Sequence, residues 1–314
     1  MIYLGVNISH HASIAIYDSC SKKIIGFYNE QRFKKKKDWE PSDKYSFYLS
    51  IFEKIKEKPY AVCYASFGRD QLDYNNHDEI IINNLQKQLN HPTYFFNKNH
   101  HHLYHVLCGF YFSSFKEAIC IVIDGGGSQS YSPGYQEIES VFFVNKNSIQ
   151  PLFQSVSNFK YLNAIWENFP VANIPDITMT NNDGTFITYS SQCYGGLSFY
   201  FNTKKINFKN GEEGKLMGLA SYGNSQQQFD LDYNKVSIAK QTQEDHFNKT
   251  CSLIDKVIQL NKTNNIILTG GCALNCSNNF KFVKKYPNLN FFVDPIPSDA
   301  GTSIGACVYY DSYK

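Results

Sequence analysis

The sequence has almost no excess of charge of either sign. It contains 30 Lys and Arg against 28 Asp and Glu, a formal net charge of +2. Whole-molecule electrostatics therefore indicate neither a general nucleic-acid binder nor a binder of acidic partners. Arginine itself is nearly missing, since only Arg32 and Arg69 are present. This skew toward lysine, with many Asn, Ile, Tyr and Phe residues, is typical of an AT-rich gene such as a phage or low-GC bacterium carries.

Secretory and membrane-spanning signals are also missing. No basic stretch followed by an apolar run opens the sequence, and no run approaches 18 apolar residues, so we expect a soluble, cytoplasmic protein. The nine cysteines are an odd number without a Cys-x-x-Cys pair, which argues against a disulfide framework and against a zinc ribbon. With 314 residues, 42% of them hydrophobic, the chain can build one large two-lobed unit or about two domains.

A strand–turn–strand plan occurs twice. Ile2–Asn7 and Ser13–Tyr17 flank one polar turn, and Ala118–Ile123 and Ser140–Val144 flank another about 115 residues later. Strands alternate with helical segments along the rest of the chain, which predicts an α/β fold.

The repeat predicts two lobes. We expect a first lobe over residues 1–115 and a second over 116–314, with a helical insertion at about 160–220. The last helix can return to the first lobe.

A histidine-rich helix start carries the densest chemical signal. His101 and His105 stand four residues apart, so both imidazoles share one helix face and could bind one metal ion. Surface histidines at a polar helix start are the alternative. Asp124, at the end of a buried strand, and Asp299, at the start of the last helix, are candidate further ligands. An N-cap role would equally explain Asp299.

Three glycine-rich turns offer bare backbone N–H groups. They are Gly125-Gly126-Gly127 after Asp124, Gly270-Gly271 before Asn275, and the turn around Gly301. None matches a Walker P-loop or a Gly-x-Gly-x-x-Gly fingerprint. Backbone N–H groups at such junctions can face phosphate oxygens. Within a duplicated plan they predict a nucleotide and metal cleft between two actin-like (ASKHA) lobes.

Two further features near the N-terminus could serve that cleft. His10 lies in the first polar turn, the equivalent of the Asp124 turn, where it could act as a general base. A solvent-exposed turn histidine is the alternative. The run Lys34–Lys37 is most often a solvated charge run, although beside a cleft it could hold phosphate.

These motifs resemble a known family, the O-carbamoyltransferases that modify nodulation factors and aminoglycosides. Their catalytic domain is similar to the universal tRNA threonylcarbamoyl-transfer subunit. The likeness covers nearly the whole chain and lies in six motifs in the same order. They are residues 5–15 (Gly-Val-Asn-Ile-Ser-His-His-Ala-Ser-Ile-Ala), 30–33 (Glu-Gln-Arg-Phe), 101–105 (His-His-Leu-Tyr-His), 214–223 (Gly-Lys-Leu-Met-Gly-Leu-Ala-Ser-Tyr-Gly), 270–275 (Gly-Gly-Cys-Ala-Leu-Asn) and 298–301 (Ser-Asp-Ala-Gly).

The resemblance implies a metal-assisted acyl transfer from carbamoyl-adenylate to a hydroxyl group. A divalent metal, iron in the family, would be held by His101, His105, Asp124 and Asp299. Nucleotide would be bound by Gly125, Gly126, Gly127, Lys215, Gly270, Gly271 and Asn275. Catalysis would involve His10, Glu212 and Lys37.

The sequence departs from the family pattern in three ways. His11 stands where the family has Asp, and lysines replace arginines in the basic run. Family members continue into a YrdC-like domain that makes carbamoyl-adenylate from ATP and carbamoyl phosphate, and no counterpart follows here. We therefore expect a separate YrdC-like partner.

The motifs leave the acceptor open. A hydroxymethylpyrimidine nucleotide or DNA base stands beside sugars and other small alcohols, so a role in phage DNA modification is one hypothesis. Threonylcarbamoyl transfer to tRNA adenosine is an alternative, as is a non-catalytic nucleotide-binding regulatory subunit with an actin-like fold.

Overall fold

The computed structural model describes most of the chain. The described residues are 1–9, 11–34, 44–55, 58–66, 77–90, 93–97, 99–128, 135–158, 176–180, 186–190, 193–209, 211–224, 232–260 and 262–314. Their strands form two separate sheets.

The first sheet has five strands built around a buried central strand. From edge to edge the order is β3-β2-β1-β4-β5. β1 pairs antiparallel with β2 and parallel with β4, and β2–β3 and β4–β5 continue these two directions. Central strands covered on both faces are built from continuous apolar runs. The strands are β1 (Ile2–Asn7), β2 (Ser13–Asp18), β3 (Lys23–Asn29), β4 (Ala61–Ala65) and β5 (Tyr94–Phe96).

The second sheet repeats this plan with seven strands. Its order is β12-β11-β6-β7-β8-β10-β9. β6 pairs antiparallel with β7 and parallel with β11, which in turn pairs parallel with β12, so β6 occupies the place that β1 has in the first sheet. The strands are β6 (Glu117–Ile123), β7 (Tyr135–Asn145), β8 (Ser148–Asn158), β9 (Ile177–Thr180), β10 (Phe186–Ser190), β11 (Asn265–Thr269) and β12 (Asn290–Val293). The predicted duplication is confirmed at the level of topology.

Nine α-helices lie in the described part of the chain. They are α1 (Glu30–Lys34), α2 (Lys44–Phe52), α3 (His77–Leu89), α4 (His101–Ser113), α5 (Gly196–Lys205), α6 (Glu213–Ala220), α7 (Tyr233–Ile258), α8 (Cys276–Lys285) and α9 (Thr302–Ser312). None of the helices in the described ranges is both long enough and apolar enough to cross a membrane.

Helices α4 and α9 link the two sheets. α9 packs against β1, β2 and β4 of the first sheet and against α4, which contacts β6 and β11 of the second. The backbones approach closely, because a Cβ added at Gly305 would lie 1.9 Å from the carbonyl oxygen of Tyr104. Glycine therefore permits the contact between the two helices.

Three apolar clusters form the core. One surrounds α4 and α9, a second lies beneath α5, α7 and α8, and a third joins the first sheet to α2 and α3. β6 contributes alternate residues to two of them: Ala118, Cys120 and Val122 to the first cluster, and Ile119, Ile121 and Ile123 to the second. Because successive side chains of a strand point to opposite faces, β6 is buried on both sides as far as its carboxyl end.

The predicted helical insertion at about 160–220 is wrong over part of its length. Ile177–Thr180 and Phe186–Ser190 form antiparallel strands at the edge of the second sheet. Both segments are rich in β-branched and aromatic residues, which favour a pleated, half-buried surface. Among the described residues of this stretch, helix begins at Gly196; residues 159–175 lie outside the described residues.

Candidate metal and nucleotide site

Helix α4 presents two histidines to one buried point. His101 and His105 are 1% and 0% exposed, and their rings lie 4.8 Å apart. Their spacing of four residues places both imidazoles on one helix face. The surface alternative for these histidines is therefore wrong.

Two aspartates from other elements meet these histidines. Asp124 directly follows β6, and Asp299 opens a 3₁₀ turn just before α9. The Oδ2 atom of Asp124 lies 3.5 Å from Nε2 of His101 and 3.3 Å from Nε2 of His105. The Oδ1 atom of Asp299 lies 3.9 and 3.7 Å from the same two nitrogens. One ligand atom from each of the four residues falls within 4.8 Å of all the others.

The chemistry of this donor set fits a divalent metal ion. Imidazole nitrogen and carboxylate oxygen bind such ions at about 2.1 Å, which places neighbouring ligand atoms about 3–3.5 Å apart. The observed separations are close to that range. Nε2 of His105 is buried and forms no hydrogen bond among the described residues, so this atom is left without the partner that buried polar groups normally have. The four residues therefore fit a metal ion.

Charge within the cluster is strongly coupled. Burial lowers the pKa of His105, but the carboxylates of Asp124 and Asp299 outweigh it and raise that pKa to about 10. Burial raises the pKa of Asp124, yet the adjacent imidazoles of His101 and His105 hold that pKa well below its usual range. The two carboxylates thus make this buried point favourable for a positive charge.

Two glycine turns converge on Asp124. Its Oδ1 atom accepts hydrogen bonds from the backbone N–H of Gly125 at 2.8 Å and of Gly271 at 3.3 Å. Gly270 has a φ of 84°, and a Cβ there would lie 2.6 Å from the carbonyl oxygen of Ile123, so this turn requires glycine. The predicted turns at Gly125–Gly127 and Gly270-Gly271 are therefore brought to the carboxylate end of the cluster.

Asn275, which was predicted to contact nucleotide, is buried between α7 and α8. Its amide is 2% exposed, accepts the N–H of Asn278 and exchanges hydrogen bonds with Gln243. The side chain therefore caps α8 and ties it to α7. A nucleotide contact by Asn275 stays a prediction.

The remaining predicted site residues either lie apart from the four-residue cluster or fall outside the described residues. Glu212 and Lys215 form an exposed ion pair at the start of α6, with 2.5 Å between Oε1 and Nζ. Neither contacts the four-residue cluster in the described interactions, so their roles stay predictions. His10 and Lys37 lie outside the described residues.

Two buried glutamates on β7 were not predicted from the sequence. Glu137 and Glu139 are 3% and 0% exposed. Burial raises the pKa of Glu137 to about 7, against the opposing effect of the Ser128 N–H that it accepts, and burial also raises the pKa of Glu139. The available signal was two acids within a strand in which most other residues are apolar, a place where charges are costly unless hydrogen-bonded.

A cavity of about 640 Å³ opens beside the start of α4. Its wall combines aromatic, amide and hydroxyl groups, and Glu137 forms part of it. The other lining residues are Asn99, His100, Leu103, Phe142, Asn147, Ser148, Ile149, Pro151, Gln154, Ile187, Tyr189, Tyr309 and Tyr313. This volume is in the range of small-molecule sites.

Residues 242–308 match the family model described as the carbamoyltransferase N-terminus. This segment includes Gly270, Gly271 and Asp299 of the site. Over nearly its full length the chain is also similar to an uncharacterized protein of Methanocaldococcus jannaschii. The two are 27% identical over 324 residues, which cover 96% of this chain and 56% of the relative. The chain thus spans little more than half the length of the curated relative that it matches.

Solved structures confirm the predicted actin-like two-sheet fold. HypF of T. kodakarensis superposes with a TM-score of 0.61 at 12% identity, covering 99% of this chain and 47% of HypF. A ROK family protein from Streptococcus pneumoniae TIGR4, solved with sucrose, gives a TM-score of 0.53 at 10% identity and covers 99% of this chain and 98% of its own. At these identities the likeness establishes the fold alone.

Proposed function

We propose that this chain transfers a carbamoyl group from carbamoyl-adenylate to an acceptor hydroxyl. The observation that carries the proposal is the buried cluster of His101, His105, Asp124 and Asp299, set where two glycine turns meet. The match of residues 242–308 to the carbamoyltransferase N-terminus model supports it.

The cluster is proposed to hold a divalent cation, iron by resemblance. His101 and His105 would supply nitrogen, and Asp124 and Asp299 would supply oxygen. When bound there, the cation offsets negative charge on nucleotide phosphate, which makes AMP a better leaving group.

The protein's own groups are proposed to bind and orient the donor. Backbone N–H groups of the turns at Gly125–Gly127 and Gly270-Gly271 suit phosphate oxygens, because they present donors without side chains in the way. Lys215 is proposed to add a positive charge near the nucleotide, and Glu212 to help activate the acceptor hydroxyl.

The proposed transfer is direct and forms no covalent enzyme intermediate. The acceptor oxygen forms a bond to the carbamoyl carbon, and the bond from that carbon to the phosphate oxygen breaks. AMP leaves with the electron pair. His10 is proposed to take the hydroxyl proton as general base, with Lys37 close by.

The donor is proposed to come from a YrdC-like partner that consumes ATP and carbamoyl phosphate. A hydroxymethylpyrimidine, as nucleotide or in DNA, is the proposed acceptor class. Within this class, the near balance of acidic and basic residues suits a free nucleotide better than a long polyanion such as DNA or RNA.

Mass spectrometry of acceptors tests the proposal. The reaction contains this chain, a YrdC-like protein, ATP, carbamoyl phosphate, Fe²⁺ and a panel of hydroxyl compounds that includes hydroxymethylpyrimidine DNA and tRNA. We expect one carbamoyl group to be gained only when both proteins are present and to be lost with His105→Ala. A chain that binds Fe²⁺ and nucleotide but modifies no acceptor would contradict the transferase function and favour a regulatory role. In a parallel reaction with threonine and bicarbonate in place of carbamoyl phosphate, threonylcarbamoylation of tRNA would contradict the proposed acceptor class.

A further inference from the structure

Helix α4 lacks a cap of its own. His100 occupies the N-cap position and makes no side-chain hydrogen bond to the helix. The first N–H groups of an α-helix have no partners within the helix. At the start of α4 they belong to the segment that carries His101 and His105, so whatever binds them also positions both proposed ligands.

Distant residues supply the missing cap. The Oγ atom of Ser128 accepts the N–H of His101 at 3.1 Å, and Oε1 of Glu137 accepts the N–H of His102 at 3.3 Å. A carboxylate at this end of a helix is also favoured by the helix dipole.

The same glutamate holds the turn that begins at Asp124. Oε1 of Glu137 also accepts the N–H of Ser128 at 3.0 Å. The backbone of Glu137 pairs with the turn in both directions, accepting the N–H of Gly127 at 2.7 Å and donating to the carbonyl of Ser128 at 3.0 Å. One residue is therefore bonded to two of the three segments that carry proposed metal ligands, α4 and the Asp124 turn.

The second carboxylate oxygen keeps Glu137 in place. Oε2 accepts hydrogen bonds from Gln154 Nε2 at 3.0 Å and from Ser140 Oγ at 3.3 Å. Ser140 Oγ lies 2.8 Å from Nδ1 of His102. Since the Ser140 hydroxyl donates its proton to Glu137, it accepts from Nδ1–H of His102. These bonds form a closed ring from β7 through His102 to the start of α4.

We infer that Glu137 is a positioning residue for the metal cluster, which it serves by fixing α4 against the Asp124 turn without being a ligand. The inference rests on the proposed metal site. A positioning role differs from a general contribution to stability, because the hydrogen bonds of Glu137 join α4 to the Asp124 turn.

Glu139 provides a matched control on the same strand. It is equally buried, but its Oε1 accepts the N–H groups of Tyr194 at 3.1 Å and Gly196 at 2.9 Å, at the start of α5. No described hydrogen bond joins Glu139 to α4. Replacing Glu139 therefore removes a buried carboxylate from β7 but leaves the hydrogen bonds at the start of α4 intact.

Cobalt titration of Glu137→Gln, Glu137→Ala and Glu139→Gln tests the inference. Co²⁺ binding is followed by its visible absorption, and thermal unfolding confirms that each variant is folded. We expect Glu137→Gln to weaken Co²⁺ binding about tenfold to a hundredfold, as loss of supporting hydrogen bonds does at metal sites. Glu137→Ala should bind Co²⁺ more weakly still, because Gln keeps one oxygen that can accept the N–H groups of Ser128 and His102, whereas Ala keeps none. Glu139→Gln should bind Co²⁺ as the unmodified chain does, with the same spectrum.

Hydrogen exchange of the metal-free chains gives a second readout. Peptides covering residues 99–106 and 124–128 should exchange faster in Glu137→Gln than in Glu139→Gln. Unchanged Co²⁺ affinity and exchange in the Glu137 variants would overturn the positioning role while leaving the metal-dependent function standing, as would an equal loss of affinity in Glu139→Gln. An unmodified chain that binds no Co²⁺ would refute the metal-dependent function and the positioning role together.

Discussion

His105 and Asp299 place an imidazole Nε2 and a carboxylate Oδ1 3.7 Å apart, although they come from separate parts of the chain. His105 lies near the N-terminal end of α4, and Asp299 lies just before α9. Because these helices pack against each other and link the two sheets, the proposed metal site lies where the lobes are joined. Metal binding should therefore stabilise the whole fold.

Replacing one carboxylate should weaken metal binding without unfolding the chain. Asp299→Asn exchanges an anionic oxygen for an amide of the same shape, so we expect Co²⁺ affinity to fall roughly tenfold or more. Calorimetric titration measures it. Asp245→Asn is the control, because Asp245 lies on α7 and accepts only from Gln241 in the described contacts. Equal Co²⁺ affinity in both variants would contradict the assignment of Asp299 as a ligand.

Two glycines of one turn should respond differently to alanine. A Cβ at Gly127 would lie 2.6 Å from Cγ of Glu137 and 2.7 Å from Nε2 of His102, whereas at Gly125 nothing lies within 4 Å. We expect Gly127→Ala to lower the free energy of unfolding by about 1–3 kcal/mol, because overpacking displaces neighbours. Urea denaturation measures the difference. The free energy of unfolding of Gly125→Ala should be close to that of the unmodified chain. A similar loss in both variants would show that the backbone of the turn, and not the contact of the added Cβ with Glu137 and His102, causes the destabilisation.

The exposed pair at the start of α6 should matter for turnover and not for stability. Surface ion pairs contribute little to folding, so Glu212→Gln and Lys215→Met should leave the melting temperature unchanged. If Glu212 helps activate the acceptor hydroxyl, Glu212→Gln should lower kcat roughly a hundredfold. Glu244→Gln is the control, because Glu244 forms a looser surface pair with Lys240 on α7, with 3.9 Å between Oε1 and Nζ. Full activity in Glu212→Gln would remove this residue from the proposed mechanism.

A buried histidine outside the site should make the fold acid-sensitive. Burial lowers the pKa of His246 from 6.5 to about 4, and its Nδ1 lies 2.9 Å from Nδ2 of Asn278. Between these pH values the unfolded chain binds the extra proton, so stability is full above pH 6.5 and falls as the pH drops toward 4, by about 3 kcal/mol from this group.

The His246→Gln variant checks this sign. Glutamine can still hydrogen-bond to Asn278 but carries no proton-binding group, so its free energy of unfolding should vary less between pH 7 and pH 4.5. Urea midpoints at both pH values provide the measurement. The same pH dependence in the variant and the unmodified chain would assign the acid sensitivity to other groups.

Local periodicity explains what could be predicted from the sequence. The spacing of His101 and His105 on one helix, the apolar runs of the central strands and the duplicated strand–turn–strand plan depend on neighbouring residues alone. Edge strands were harder. Thr178 and Thr188, whose hydroxyls lie 2.9 Å apart across β9 and β10, belong to short edge strands. Their composition favours strand, but their place in the sheet depends on the pairing of β10 with β8, about 30 residues earlier in the chain.

The sequence by itself determined which ligand-type side chains are present and that two of them share one helix face. Tertiary structure alone decided that Asp124 and Asp299 join them, because their approach depends on the register of β6 with its neighbours and on the packing of α4 against α9. It also decided the role of Glu137. An acid within a strand has no local partner, and only the fold brings it to the uncapped start of α4, where its carboxylate accepts N–H groups that the helix cannot satisfy itself.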